Sequence, residues 1–322
     1  MIDYIFLFAS LLFTLYIFFK FKKSGRYLLT VALSLIYSVV LIALFYQNLP
    51  GVLFLLGIGI ATPTMVYLYT KHNTLFGISI LFIIAALLMW AFIYRASPIP
   101  FIQVFSISLL ISSFPFFEKK VNRGGKTLET RRDIIQILIG IILLLILYFV
   151  NTKISPYIIL ALMLLGYTIN NFAASSGNGI AKLLKKFERD GILFGKGALY
   201  IGIGAMILLG FINNINFVMI GITALFISDA LATIVGIRGK HKLKKARHSK
   251  SIEGFLSFFL TLSIIGFFEI GILSLVFGAV IAIIESVSGK VDDNITIAIG
   301  CVVLYWLVFL IYLHPLATYL IA

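Results

Sequence analysis

Long apolar stretches separated by short polar breaks run the whole length of this chain. They fall close to residues 3–19, 27–47, 51–70, 75–94, 99–117, 134–150, 154–173, 197–213, 216–237, 252–268, 270–287 and 295–313. Each is about 18 to 22 residues, which as a helix rising 1.5 Å per residue suffices to cross a hydrocarbon core of roughly 30 Å. The pattern predicts an all-α, polytopic integral membrane protein of about twelve transmembrane helices. The first run has no basic segment before it and its positive charges follow it, so it reads as a retained helix rather than a cleavable signal.

Composition narrows the class further. Hydrophobic residues make up 61% and charged residues 12% of the 322, and mean hydropathy is +1.11, values that exclude a soluble globular core. The net charge of +14 is a topology signal in such a chain, not the mark of a nucleic-acid partner. With the loops numbered in order, Lys and Arg crowd into the odd ones. The groups are Lys20 to Arg26, Lys71, Lys119 to Arg132, Lys182 to Lys196, Arg238 to Lys250, and Lys290; only Arg95 and Lys153 lie in even loops. That is 24 of the 26 basic residues. The bias predicts cytoplasmic odd loops and both termini on the non-cytoplasmic side.

The first five runs contain prolines but no intramembrane charge. Ten of the twelve acids follow residue 118, which predicts an N-terminal transmembrane module over 1–118 and a catalytic module of about seven helices over 119–322. No match in Gly, Pro or charge positions relates the two parts, and an inverted-repeat transporter would tend to show one.

The chemistry concentrates in Ser228 to Gly254, SDALATIVGIRGKHKLKKARHSKSIEG, where an acid inside an apolar run precedes seven basic residues. Asp229 lies nine residues before Arg238, roughly 13 Å along a helix from the basic loop. A carboxylate at that depth costs about 2.5–3.5 kcal/mol or more, so it requires a polar cavity or a partner. A buried ion pair with Arg238 or Lys240 is the plain structural alternative. Glu253, Glu285, Asp292 and Asp293 fall near the same membrane side on neighbouring runs. Converging carboxylates beside many cations suit Mg²⁺ and polyphosphate, because the metal bridges phosphate oxygens while Lys and Arg offset the remaining charge. Arg238, Lys240 and Lys250 flank Gly236, Gly239 and Gly254, where backbone can approach a ligand. The outer lysines Lys242, Lys244 and Lys245 serve equally well as contacts to anionic lipid.

Other motifs carry less. Gly124-Gly125-Lys126-Thr127 looks like the end of a P-loop, but its required first glycine falls at Lys120. The four histidines have no metal-site spacing, and the lone Cys301 excludes a disulfide framework.

Ser228-Asp229-Ala230-x-Ala232-x-x-x-Gly236, then Gly239-Lys240-His241, then Lys250-Ser251-Ile252-Glu253-Gly254 resembles the signature of the CTP-dependent polyprenol kinase family, which includes dolichol, phytol and CTP-using diacylglycerol kinases. Glu285 with Asp292-Asp293-Asn294, Gly195 to Tyr200, and Glu129-x-x-Arg132 resemble further motifs of that family. The likeness covers residues 129 to 313, and the extra N-terminal spans resemble the dolichol kinase layout. Ser228 departs from the family's Gly, and Asp133 and Gln136 depart from its Lys and His.

The resemblance implies a lipid kinase that transfers the γ-phosphate of CTP to the hydroxyl of a dolichol-like or polyprenol-like alcohol at the cytoplasmic membrane face, with Mg²⁺. It implies catalytic roles for Asp229, Glu253 and Asp293, and metal contacts from Asp229, Glu285, Asp292 and Asp293. Nucleotide contacts fall to Arg238, Gly239, Lys240, Lys250, Ser251, Arg132 and Asn294. Two other readings stay open: a CTP-dependent cytidylyltransferase acting on a lipid phosphate, which would release pyrophosphate, and a secondary transporter.

Overall fold

The computed structural model describes residues 2–21, 25–46, 51–71, 74–113, 126–176, 195–242, 250–287 and 291–313. Among these residues the fold is all-α. The one departure is an isolated antiparallel bridge between Lys242 and Ser251. Every one of the twelve apolar runs contains a helix. In chain order these are α1 (Ile2–Lys20), α2 (Gly25–Phe45), α3 (Val52–Thr70), α4 (Leu75–Tyr94), α5 (Pro98–Ser113), α6 (Lys126–Phe149), α7 (Ser155–Ser176), α8 (Lys196–Phe211), α9 (Ile215–Arg238), α10 (Ile252–Ile270), α11 (Leu273–Val287) and α12 (Asp293–Leu313). Nine of these are long and apolar enough to cross a membrane. The other three, α5, α8 and α11, are apolar but span 16, 16 and 15 residues. The protein is thus a multi-pass membrane protein, with nine rather than twelve of its described helices at full spanning length.

Two compact units divide the chain, and they interleave along it. One comprises Met1–Arg123 with Asn151–Met206; the other comprises Gly124–Val150 with Ile207–Ala322. The first unit thus groups α7 and most of α8 with the N-terminal helices.

In the first unit α3 is central, packing against α1, α2, α4 and α5 and burying nearly all of its length. Its polar groups are satisfied internally, as a segment in hydrocarbon requires. Thr64 Oγ1 lies 2.9 Å from Thr14 Oγ1 and 2.8 Å from the Tyr27 hydroxyl, so one cluster of hydroxyls ties α3 to α1 and α2.

In the second unit α9 takes the central place. It contacts α6, α10 and α12, while α10 and α11 form a tight hairpin. Small residues set the closest crossing: a Cβ on Gly254 of α10 would stand 2.8 Å from the Ala232 carbonyl and 3.1 Å from Gly236 Cα, both on α9. The start of α10 therefore lies directly against the end of α9, and no larger residue fits between the two backbones. The middle of α9 is not α-helical. Thr223–Ser228 forms a buried π-helical turn, in which the Asp229 N–H reaches back to the Ala224 carbonyl. Such turns are rare and occur often at functional sites.

Candidate functional site

Three acids from three helices of the second unit meet at one point. Asp229 opens the last α-helical stretch of α9, just after the π turn; Glu285 lies near the end of α11; Asp293 begins α12. One carboxylate oxygen from each lies within 4.8 Å of the others. Oxygens bound to one Mg²⁺ at about 2.1 Å, or to one Ca²⁺ at about 2.4 Å, sit up to roughly 4 to 5 Å apart. An all-oxygen donor set of that spread fits a hard divalent cation.

A lysine stands among them. Lys250 precedes α10, and its Nζ lies 2.7 Å from Glu285 Oε1 and 3.1 Å from Asp293 Oδ2, with a further short donation to the Glu285 carbonyl. Only 10% of its side chain is exposed. Burial acts to lower its affinity for a proton, but the charges of Asp293 and Glu285 outweigh that and lift Lys250 above the ordinary lysine range. It stays cationic at neutral pH.

Glu253 does other work. Its Oε1 accepts hydrogen bonds from the backbone N–H groups of Lys240 (2.9 Å) and His241 (3.1 Å), and it pairs with His241 Nδ1 at 2.9 Å. The carboxylate holds the beginning of the basic loop against the first turn of α10 and lies outside the three-acid group. Ser251 is buried and caps α10, accepting from the Gly254 N–H while donating to the Gly236 carbonyl. Gly239 packs against this same corner: a Cβ there would stand 2.5 Å from Glu253 Oε2 and from Ser251 Oγ. What Gly239 admits is thus the chain's own Glu253 and Ser251 side chains. Lys242 closes the corner by donating to the Gly236 carbonyl at 2.8 Å.

Asp292 also lies outside the three-acid group. Its Oδ1 accepts from the backbone N–H and the side-chain amide of Asn294, so the pair caps the start of α12 and sets Asp293 in its first turn. Arg132 forms 3.5 Å ion pairs with Glu129 and Asp133, both buried on α6. Arg238 and Lys240 carry exposed side chains and make no ion pair with Asp229 among the described residues. Lys244, Lys245 and Arg247 lie outside the described residues, as do residues 119–125 and 182–194.

Sequence reasoning passed over the group that touches Asp229 most directly. Gln136 of α6 donates through Nε2 to Asp229 Oδ2 at 3.2 Å and to the Leu225 carbonyl at 2.9 Å. Glu129, Asp133, Gln136 and Gly140 follow one another at helical spacing along one face of α6. Gly140 lets that face approach the π turn, since a Cβ there would stand 2.5 Å from Phe226 Cβ. A polar stripe on an otherwise apolar helix is the signal that marks these residues.

The uncharacterized protein MJ1137 of Methanocaldococcus jannaschii is 34% identical to this chain over 172 residues, a match covering 52% of this chain and 87% of MJ1137. No protein-family model matches the chain, and no solved structure matches it.

Proposed function

This chain belongs to one family with the uncharacterized protein MJ1137, and we propose that it is a membrane lipid kinase that transfers the γ-phosphate of CTP to the hydroxyl of a long-chain isoprenoid alcohol. The observation that carries the reading is the meeting of Asp229, Glu285 and Asp293 around Lys250 inside a helical membrane unit. Their formal charges sum to −2, from three carboxylates and one ammonium, which one divalent cation balances.

Mg²⁺ held by Asp229, Glu285 and Asp293 would supply a Lewis acid for the phosphate oxygens. The chain's own residues do the rest. Lys250, cationic and buried beside the acids, offers charge to the phosphates. Arg238 and Lys240, presented by the corner that Glu253 anchors, contribute further positive charge. The alcohol oxygen bonds to the γ-phosphorus as the bridging P–O bond to the β-phosphate breaks. CDP departs with that electron pair, and the hydroxyl proton passes through a carboxylate of the cluster to solvent. Such a transfer rests on positioning and charge neutralisation more than on covalent help. In this reading the chain spans the membrane about twelve times, with the short helices α5, α8 and α11 included and both termini outside. The basic loops and the site face the cytoplasm.

The test is incubation of membranes containing the protein with γ-labelled CTP or ATP and a panel of dolichol, geranylgeraniol, phytol and diacylglycerol. Label is expected in an isoprenoid alcohol, from CTP, with CDP released, and Asp229→Asn should abolish it while leaving expression intact. Absence of label in every lipid overturns the kinase reading, and release of pyrophosphate in place of CDP assigns nucleotidyl transfer instead.

A further inference from the structure

The π turn before Asp229 interrupts the α-helical hydrogen bonding of α9. An α-helix that widens to i→i+5 pairing shifts its hydrogen-bond ladder, and carbonyls at the turn need partners from elsewhere, most of all in an apolar setting where water is scarce. The Leu225 carbonyl lies inside the buried Thr223–Ser228 turn, and its partner comes from another helix, 89 residues earlier in the chain: Gln136 Nε2, at 2.9 Å. The same nitrogen donates to Asp229 Oδ2 at 3.2 Å. A primary amide has two N–H protons, so one nitrogen serves both acceptors without either being shared. Gln136 thus joins the irregular backbone to the carboxylate that follows it.

The chemical character of that donor matters. An amide orients a carboxylate without neutralising it, whereas a lysine would add a full positive charge and a glutamate would offer only acceptors to two groups that are themselves acceptors. Gln136 is also held in place: Gly140, one turn further along α6, permits close contact with Phe226 of the π turn. Asp133, one turn before, is buried on the same face. The donor is therefore carried on a helix packed tightly against the turn it serves.

We propose that Gln136 is a positioning residue. It fixes the orientation of the Asp229 carboxylate within the three-acid group by bridging it to the π-turn carbonyl of Leu225, and so sets how readily the site takes its divalent cation. The proposal rests on the reading of Asp229, Glu285 and Asp293 as cation ligands. It adds to that reading a residue that itself touches neither cation nor substrate.

The experiment uses the full-length protein, purified in detergent, and titrates Mn²⁺ by the loss of its free-ion electron paramagnetic resonance signal. Gln136→Met keeps the side-chain length and loses the donor. It is expected to weaken Mn²⁺ binding by about tenfold, as loss of a residue that orients a metal ligand does. Gln136→His keeps one neutral N–H, enough for the Asp229 carboxylate but not for both acceptors, and should recover part of that loss. Labelled-phosphate transfer measured in parallel should show Gln136→Met lowering kcat while KM for the nucleotide changes less than about twofold, the pattern of a lost orientation and not of lost ground-state binding. Wild-type affinity for Mn²⁺ in folded Gln136→Met overturns the proposal alone. Equal weakening in Gln136→Met and Gln136→His also overturns it, since packing and not donation is then what counts. A wild-type protein that binds no Mn²⁺ overturns the cation reading and this proposal with it.

Discussion

Lys250 and Glu285 meet twice, once through the ion pair of Nζ with Oε1 at 2.7 Å and once through donation from the same ammonium to the Glu285 main-chain carbonyl. This double attachment ties the segment entering α10 to the end of α11. Removing the lysine therefore breaks a structural link and also strips the only cation paired with Glu285 and Asp293 among the described residues. Lys250→Met is expected to lower stability by about 3 kcal/mol, the low end for breaking a buried ion pair because Asp293 keeps 32% of its side chain exposed. Thermal unfolding in detergent reads the loss. Lys250→Met with Glu285→Gln should regain part of it, and added Mg²⁺ should stabilise Lys250→Met more than wild type. A thermal midpoint equal to wild type would dissolve this account of Lys250.

The acids that converge and those that cap should respond differently to metal. Glu285→Gln and Asp293→Asn are each expected to raise the Mg²⁺ concentration for half-maximal transfer by at least about tenfold. Asp292→Ala removes a cap and not a member of the cluster, so it should leave that concentration within about twofold while costing about 1 kcal/mol in unfolding. Activity measured across a Mg²⁺ series, with a chelator as the zero point, separates the two classes. Equal shifts in all three variants would contradict the division.

Glu253 anchors a loop, so its variants should act on nucleotide capture. Glu253→Gln keeps an oxygen to accept from the Lys240 and His241 N–H groups but drops the charge, and Glu253→Ala drops both. KM for the nucleotide is expected to rise about threefold in the first and about tenfold or more in the second, with kcat changed less. Steady-state kinetics with nucleotide varied at fixed lipid checks this. A fall confined to kcat would instead put Glu253 among the reacting groups.

Two helix glycines, one packed at the α9–α10 crossing and one with open space around it, should respond differently to alanine. Gly254→Ala sets a methyl group 2.8 Å from a backbone carbonyl, and should destabilise by ~1–3 kcal/mol as the helices separate. Gly166→Ala, inside α7 with nothing within 4 Å of the new methyl, should be neutral or stabilise by up to ~1 kcal/mol. Thermal midpoints of the two variants, measured side by side, decide it.

Hydropathy alone locates the helices, because hydrocarbon requires long apolar segments with their backbone bonds made internally. It is less able to say how long each will be. The runs at 99–117, 197–213 and 270–287 contain helices of only 16, 16 and 15 residues among the described residues. Charge marks Asp229, Glu253, Glu285, Asp292 and Asp293 alike, since each is costly near an apolar segment. Which of them cap and which converge depends on the backbone N–H groups within reach. Glu253 lies beside those of Lys240 and His241, just past the end of α9, and Asp292 beside one that opens α12, and sequence gives no sign of which demand wins. Gln136 was harder to see. A neutral amide in an apolar run carries no charge to account for, and the π turn it serves lies in a stretch buried on every side, where no apolar stripe exists for the turn to displace.

The π turn also fixes the rotational phase of the rest of α9. A helix advances about 100° per residue, so a single residue gained or lost between Thr223 and Ser228 would swing everything after it around the axis of α9 by more than a quarter turn. Asp229 would then face a different neighbour while every side chain kept its identity. The site depends on chain length at this point as much as on any one residue. Deleting one residue inside 223–228 should silence the protein more thoroughly than most substitutions there, and among relatives of this chain a gap in that segment would be the sign of an altered chemistry.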